Sequence, residues 1–150
     1  MSTATRTAGG GNEMTTAIDL ALERLKVEEG FRPTLYRDSE NLQTIGYGLC
    51  VDRGISEPVA AAALQAQIQE AHGELIAYSW YLGLDPVRQS VCLDIAINEG
   101  VGGLLHFPKM IAALAHRDWE GAAGECAVED PHLEPRYAHL AKILLSGVAA

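Results

Sequence analysis

Between residues 15 and 28 the apolar residues Ile18, Ala21, Leu22 and Leu25 fall at i, i+3, i+4 and i+7, the spacing that lines one face of an α-helix. Thr15 or Thr16 can cap its start, and Gly30 can stop it. After Pro33 the pattern becomes extended through Thr34, Leu35 and Tyr36. Residues 38 to 41 are turn formers and residues 42 to 47 read as a second strand, so a β-hairpin is predicted. Gly46 and Gly48 strip side chains from one face of that strand, as happens where a ligand or another backbone comes close. Beyond a turn at residues 52 to 54, Ser56, Glu57 and Pro58 form a helix start. A long helix through VAAAALQAQIQEAHGELIAYSWY follows, about 35 Å at ~1.5 Å per residue. Asp85 and Pro86 repeat the start signal before VRQSVCLDIAIN, an apolar, buried helix. Further helices are predicted over residues 108 to 116, 119 to 128 and 135 to 146, set apart by Gly100, Gly102 and Gly103 and by Asp130 and Pro131.

These elements predict an α+β fold, mostly α. A small N-terminal lobe of helix and hairpin (14–55) leads through a connecting helix (56–80) to a helical C-terminal lobe (81–150), with a cleft between lobes as the place for a ligand. At 150 residues a single domain of this kind can bury a core. Residues 1–13, polar and glycine-rich, are predicted to be a disordered lead-in. They hold no apolar run of the length a secretory signal or a membrane span requires, so no membrane insertion is expected.

Charge narrows the partners. The net charge of -9, from 11 Lys and Arg against 20 Asp and Glu, speaks against nucleic acid, whose phosphates call for basic clusters. The acidity is uneven: residues 1–55 carry 6 basic and 8 acidic side chains and the rest 5 and 12, which leaves the hairpin region almost neutral. Cys50, Cys92 and Cys126 are odd in number and far apart, and read as reduced, packed thiols. The five histidines are scattered and no HExxH occurs, so neither a metal nor another cofactor is expected.

The chemistry concentrates in EEGFRPTLYRDSENLQTIGYG, residues 28 to 48. Glu28 and Glu29 close the first helix at the negative end of its dipole, where a charged acid is disfavoured. A carboxyl there, near apolar Leu25 and Phe31, would keep a proton near neutral pH, whereas Asp38 on a polar turn would stay ionised. That is the division of labour in a glycosidase, with Thr44 able to hold a water by its hydroxyl. The residues alone favour an exposed helix end, an Asx-turn aspartate and a strand hydroxyl, each the commoner role for its type.

The arrangement Glu29-Gly30, Tyr36-Arg37-Asp38 and Thr44-Ile45-Gly46-Tyr47-Gly48 resembles the phage T4 type of lysozyme, the endolysin muramidases, whose motif reads EG, YxD and TIGxG. The likeness continues through IAINEG, FPKMIAAL, RDWEGAA and PRYAHLAKILLSG and covers most of residues 20 to 147. It implies a lysozyme-like fold and hydrolysis of the β-1,4 bond between N-acetylmuramic acid and N-acetylglucosamine in bacterial peptidoglycan. Carried over by position, Glu29 is the general acid, with Glu28 its solvated neighbour; Asp38 orients or deprotonates the attacking water, and Thr44 helps to place it. Gly46, Gly48, Asn98, Phe107 and Arg136 are implied to contact substrate, Asn98 as an amide facing the cleft and Arg136 near the catalytic acid. The family's T4 member inverts the anomeric centre, which suits a carboxyl pair about 6.5–9.5 Å apart. The resemblance further implies a monomer without cofactor that waits in the host cytoplasm and reaches the wall through a separate membrane pore.

Two departures stand out. Leu49 takes the place of a histidine in the T4 member, which removes an ion pair rather than a catalytic group. The isoelectric point of about 4.9 removes long-range attraction to the carboxylates of the wall peptides. Two competing readings differ in chemistry: a lytic transglycosylase, which needs one acid and no water, and a wall-binding or virion structural module that does not cleave.

Overall fold

The computed structural model of the chain describes residues 16–126 and 134–149. The lead-in predicted over residues 1–13, the Asp130 and Pro131 break and the predicted helix end at Val128 lie outside the described residues. Two compact units make up the chain, Met1–Ser56 and Glu57–Ala150.

The first unit opens with α1, Ala17–Glu29. Thr16 starts it from an extended conformation. Its hydroxyl accepts the Asp19 N–H at 3.2 Å, and the Asp19 carboxylate accepts the Thr16 N–H at 2.8 Å, a reciprocal capping box. Gly30 ends the helix at φ 67°, which costs a glycine no Cβ clash, and its N–H bonds to the Lys26 carbonyl at 3.2 Å. Glu29 is therefore the last helical residue. Strands β1 (Arg32–Arg37), β2 (Gln43–Gly46) and β3 (Leu49–Cys50) follow as an antiparallel sheet in that order. Tyr36 pairs with Thr44, and Thr44 in turn with Cys50. The third strand is an addition to the predicted hairpin.

One packing expectation fails here. Ile18, Leu22 and Leu25 hold helical spacing, yet they are exposed and α1 buries no residue. A sheet of six, four and two residues per strand offers too little area to cover a helix face, and every buried apolar side chain of the described residues belongs to the second unit.

The second unit comprises α2 (Glu57–Leu75), α3 (Ser79–Leu82), α4 (Pro86–Leu104), α5 (Pro108–Ala115), α6 (Trp119–Cys126) and α7 (Glu134–Ser146). With a small antiparallel sheet beside this much helix, the α+β, mostly α class is the observed one. Helix α2 stops at Leu75, short of the predicted run to Tyr81. The Ala77 and Tyr78 N–H groups tighten onto carbonyls three residues back, and Tyr78 turns to an extended conformation. Residues 72 and 81 would lie on opposite faces of an unbroken helix, about 13 Å apart along its axis. The break instead brings the fully buried Tyr81 hydroxyl within 2.7 Å of His72 Nδ1. Burial pushes that phenol up to about 12. The glycine punctuation predicted after Asn98 is local: Gly100, at φ 79° and ψ 160°, kinks α4, which resumes to Leu104.

The core is built from Leu75, Val91, Ile95, Leu104, Leu114 and Leu144 among others, with α4 packed on α2 and α7, and α6 on α5 and α7. Cys92 and Cys126 are buried in it as free thiols. Burial raises Cys92 to about 12 and Cys126 to about 11, so both stay protonated and inert at neutral pH.

Arg88 ties the head of α4 to the end of α7. Its side chain, 11% exposed, donates to the Leu144 carbonyl at 2.8 Å and pairs with Asp85 at 2.7 Å, and its guanidinium lies 3.9 Å over the Trp119 ring. Burial alone would raise the Asp85 carboxyl, but the bonds from Arg88 outweigh it and hold it below its ordinary value. Arg88→Ala would strand the Leu144 carbonyl and open the stack on Trp119, at a cost of about 2–3 kcal/mol. Urea denaturation followed by tryptophan fluorescence checks this. A shift no larger than that of an ordinary surface substitution, about 0.5 kcal/mol, would show that the tie is dispensable.

Candidate active site

The first unit gathers four of the predicted site residues into two contacts. One joins helix to hairpin. Glu29 leaves the end of α1 toward the turn between β2 and β3, where a Cβ added to Gly48 would stand 3.1 Å from Glu29 Oε2. Gly48 itself has φ +80°. Thus what comes close to this glycine is the carboxylate of the predicted acid, and any larger side chain would both strain the turn and press on it. Gly46, at φ +67°, has nothing within 4 Å of such a Cβ, so its glycine answers to backbone conformation alone.

The second contact is Asp38 with Thr44. Asp38 Oδ1 accepts the N–H groups of Glu40 and Leu42, each at 2.9 Å, which folds the turn between β1 and β2 around the carboxylate. The backbone seals the turn, with the Asp38 N–H on the Leu42 carbonyl and the Asn41 N–H on the Asp38 carbonyl, both at 3.0 Å. Oδ2 stays out of this work. It faces the Thr44 hydroxyl at 3.5 Å, too long for a strong bond, and that hydroxyl donates more closely to the Leu42 carbonyl at 3.2 Å. Thr44 is 2% exposed and lies between partners on both neighbouring strands. One carboxylate thus folds the turn with Oδ1 and, among the described residues, leaves Oδ2 to the long Thr44 approach alone.

The apolar wall predicted beside Glu29 is absent from its neighbours. Leu25 and Phe31 are 45% and 64% exposed, and the Glu29 residue is itself exposed, because the described residues of the first unit bury no apolar side chain against which they could turn.

The remaining candidates lie in the second unit and do not form one cluster. Asn98 is exposed on α4, just before the Gly100 kink. Its Nδ2 donates to Glu99 Oε1 at 2.8 Å, and the buried Tyr137 hydroxyl donates to the same oxygen at 3.1 Å. Burial raises the Tyr137 phenol. Arg136 opens toward α4 and is paired with Asp94, Nε and a terminal nitrogen reaching Oδ1 at 2.8 and 2.7 Å. Phe107 is half-buried at the head of α5 and packs on the core. Asp94, Glu99 and Tyr137 carry no mark in the sequence, because Arg136 lies 42 residues from Asp94 and Tyr137 38 residues from Glu99.

Sequence comparison decides the family. The model of the Phage lysozyme family matches residues 26–129, which takes in Glu29, Asp38, Thr44, Gly46, Gly48, Asn98 and Phe107. The chain belongs to the phage lysozyme family. No curated individual protein matches it. A phage lysozyme is a glycosidase-type enzyme directed at peptidoglycan, and the mostly helical fold with a small antiparallel sheet agrees with that membership. Arg136 falls beyond the matched residues. Among the described residues, no helix is long and apolar enough to cross a membrane, and no three His, Cys, Asp or Glu side chains gather as a metal site would require.

Proposed function

We propose that this phage lysozyme is a muramidase, hydrolysing the β-1,4 bond between N-acetylmuramic acid and N-acetylglucosamine with inversion, for lysis of the host cell. The observation that carries the reading is the division of the Asp38 carboxylate: Oδ1 is held by two backbone N–H groups, and Oδ2, among the described residues, meets only the Thr44 hydroxyl at 3.5 Å. Thr44 gives its own proton to Leu42, so its oxygen can accept one. A water between the two would donate one hydrogen to Asp38 Oδ2 and one to Thr44 Oγ1, leaving a lone pair for attack.

Glu29 acts as the acid. It delivers its proton to the glycosidic oxygen as the bond from C1 to that oxygen breaks, and water adds to C1 from the opposite face as Asp38 takes its proton. A single displacement inverts C1 and requires acid and base about 6.5–9.5 Å apart, so that the water fits between them. Asn98, Phe107 and Arg136 serve as substrate contacts. Asn98, with its amide nitrogen bonded to Glu99, is left with its carbonyl oxygen for an acetamido N–H. The protein acts on the wall after release from the host cytoplasm.

Digestion of purified peptidoglycan followed by mass spectrometry of the fragments tests the reading. Reducing ends that have gained water support it. Anhydro ends assign a transglycosylase, for which Asp38 and Thr44 have no necessary role, and no fragments at all assign a binding module.

Gly48→Ala probes the helix-to-hairpin contact. A Cβ at φ +80° costs about 1–2 kcal/mol and pushes the tip of the Glu29 carboxylate by a fraction of an ångström. Such a shift is smaller than the ~1 Å that costs about a hundredfold, so the rate should fall by up to about tenfold. Turbidity clearing of wall suspensions measures it; an undiminished rate would show that the contact does not position the acid.

A further inference from the structure

Phe31 lies two residues after Glu29 and Tyr47 directly before Gly48, and the fold brings their rings together. Their centroids are 5.4 Å apart and the planes are inclined at 45°. Both remain open to solvent, Phe31 at 64% and Tyr47 at 48%, although they touch each other. The two rings in contact form a small apolar surface open to water beside the Glu29 and Gly48 contact, where a ligand with an apolar face can lie. Tyr47 lies between Gly46 and Gly48, so no adjacent side chain covers its ring, and the one neighbour of Phe31 with a side chain, Arg32, turns to Tyr36.

From this we infer that Phe31 and Tyr47 form a sugar-binding corner for an N-acetylated pyranose of the glycan strand, adjoining the bond that Glu29 protonates. The inference rests on the muramidase reading above. The chemistry fits on three counts. A β-linked pyranose presents its axial C–H groups as an apolar face, and the polarised hydrogens are drawn to the negative face of an aromatic ring. The 45° inclination makes a corner rather than a flat floor, so one ring can lie under the pyranose while the other meets an acetamido methyl. The nearby Arg32 guanidinium is spent elsewhere, 4.3 Å over the Tyr36 ring, which leaves the corner to apolar contact. In a chain of net charge -9 facing an anionic wall, such contact supplies affinity that long-range attraction does not.

The test uses the full-length chain with Glu29→Gln, so that substrate binds without turnover, and soluble peptide-free peptidoglycan glycan strands as the probe. Phe31 is one of two phenylalanines, so Phe31→Ala assigns its ring signals in the NMR spectrum directly. The strands are expected to shift the ring protons of both Phe31 and Tyr47. Phe31→Ala and Tyr47→Ala should each weaken binding about tenfold, while Tyr47→Phe, which keeps the ring and loses only the hydroxyl, stays within about twofold. Amide spectra of the alanine variants that match the parent away from the corner exclude misfolding. If strands bind but the ring signals stay still, or both alanine variants bind within twofold of the parent, the corner is not a subsite and the muramidase reading stands. If the wild-type chain neither binds nor cleaves peptidoglycan, both fall.

Discussion

Glu29→Gln is expected to lower peptidoglycan hydrolysis about a thousandfold while leaving the fold unchanged. Glutamine keeps the length and shape of the side chain beside Gly48 but has no proton to give to a leaving oxygen. General acid catalysis contributes about 10²–10⁴ in rate, and the loss falls in kcat rather than KM, because protonation belongs to the transition state. Stability should move by no more than about 0.5 kcal/mol, since the residue is exposed and accepts no backbone bond among those described. Glu28→Gln is the companion. Glu28 sits 4.0 Å from Arg24 on the exposed side of α1, and its substitution should leave the rate within about twofold. Clearing assays on wall suspensions measure both. Equal losses from the two would mean that the family spacing has picked the wrong acid.

Asp38 separates structure from chemistry more sharply. Asp38→Asn keeps an oxygen for the Glu40 and Leu42 N–H groups but turns an amide nitrogen, a donor, toward Thr44 and the attacking water. The turn should hold while the rate falls about a hundredfold or more. Asp38→Ala removes both bonds and should also loosen the turn, by about 1–2 kcal/mol. Hydrogen exchange distinguishes the cases: the Glu40 and Leu42 amides stay protected in the asparagine variant and lose protection in the alanine variant. An asparagine variant that clears walls at the wild-type rate would remove Asp38 from the reaction and leave it as a turn residue.

Where the chain uses local rules, its sequence could be read. Thr16 and Gly30 bound the first helix because a capping hydroxyl and a positive φ are demands on single residues. The same holds for Asp85 at the head of α4 and for the turn at Asp38. Glu29, Asp38 and Thr44 emerged from the family's spacing, not from their chemistry, since an acid at a helix end and an aspartate in a turn are ordinary. What stayed hidden depends on distant partners. The break after Leu75 follows from Tyr81 turning back to His72, and helical periodicity runs straight through it. Strand β3 is two residues long and has no alternation to detect. Arg136 is marked by the family resemblance alone, and its partner Asp94 lies 42 residues earlier. The stripe on α1 shows the opposite error: apolar spacing predicts a face, and whether a core exists to receive it depends on the rest of the unit.

The measurement closest to the central claim is digestion of purified peptidoglycan in water enriched in oxygen-18, with the wild-type chain and with Glu29→Gln. Hydrolysis by the proposed route places one heavy oxygen at C1 of each new N-acetylmuramic acid reducing end, formed by the wild type and nearly absent from the variant. New ends without the label, present as anhydro sugars, or a variant that labels as fast as the wild type, would contradict it.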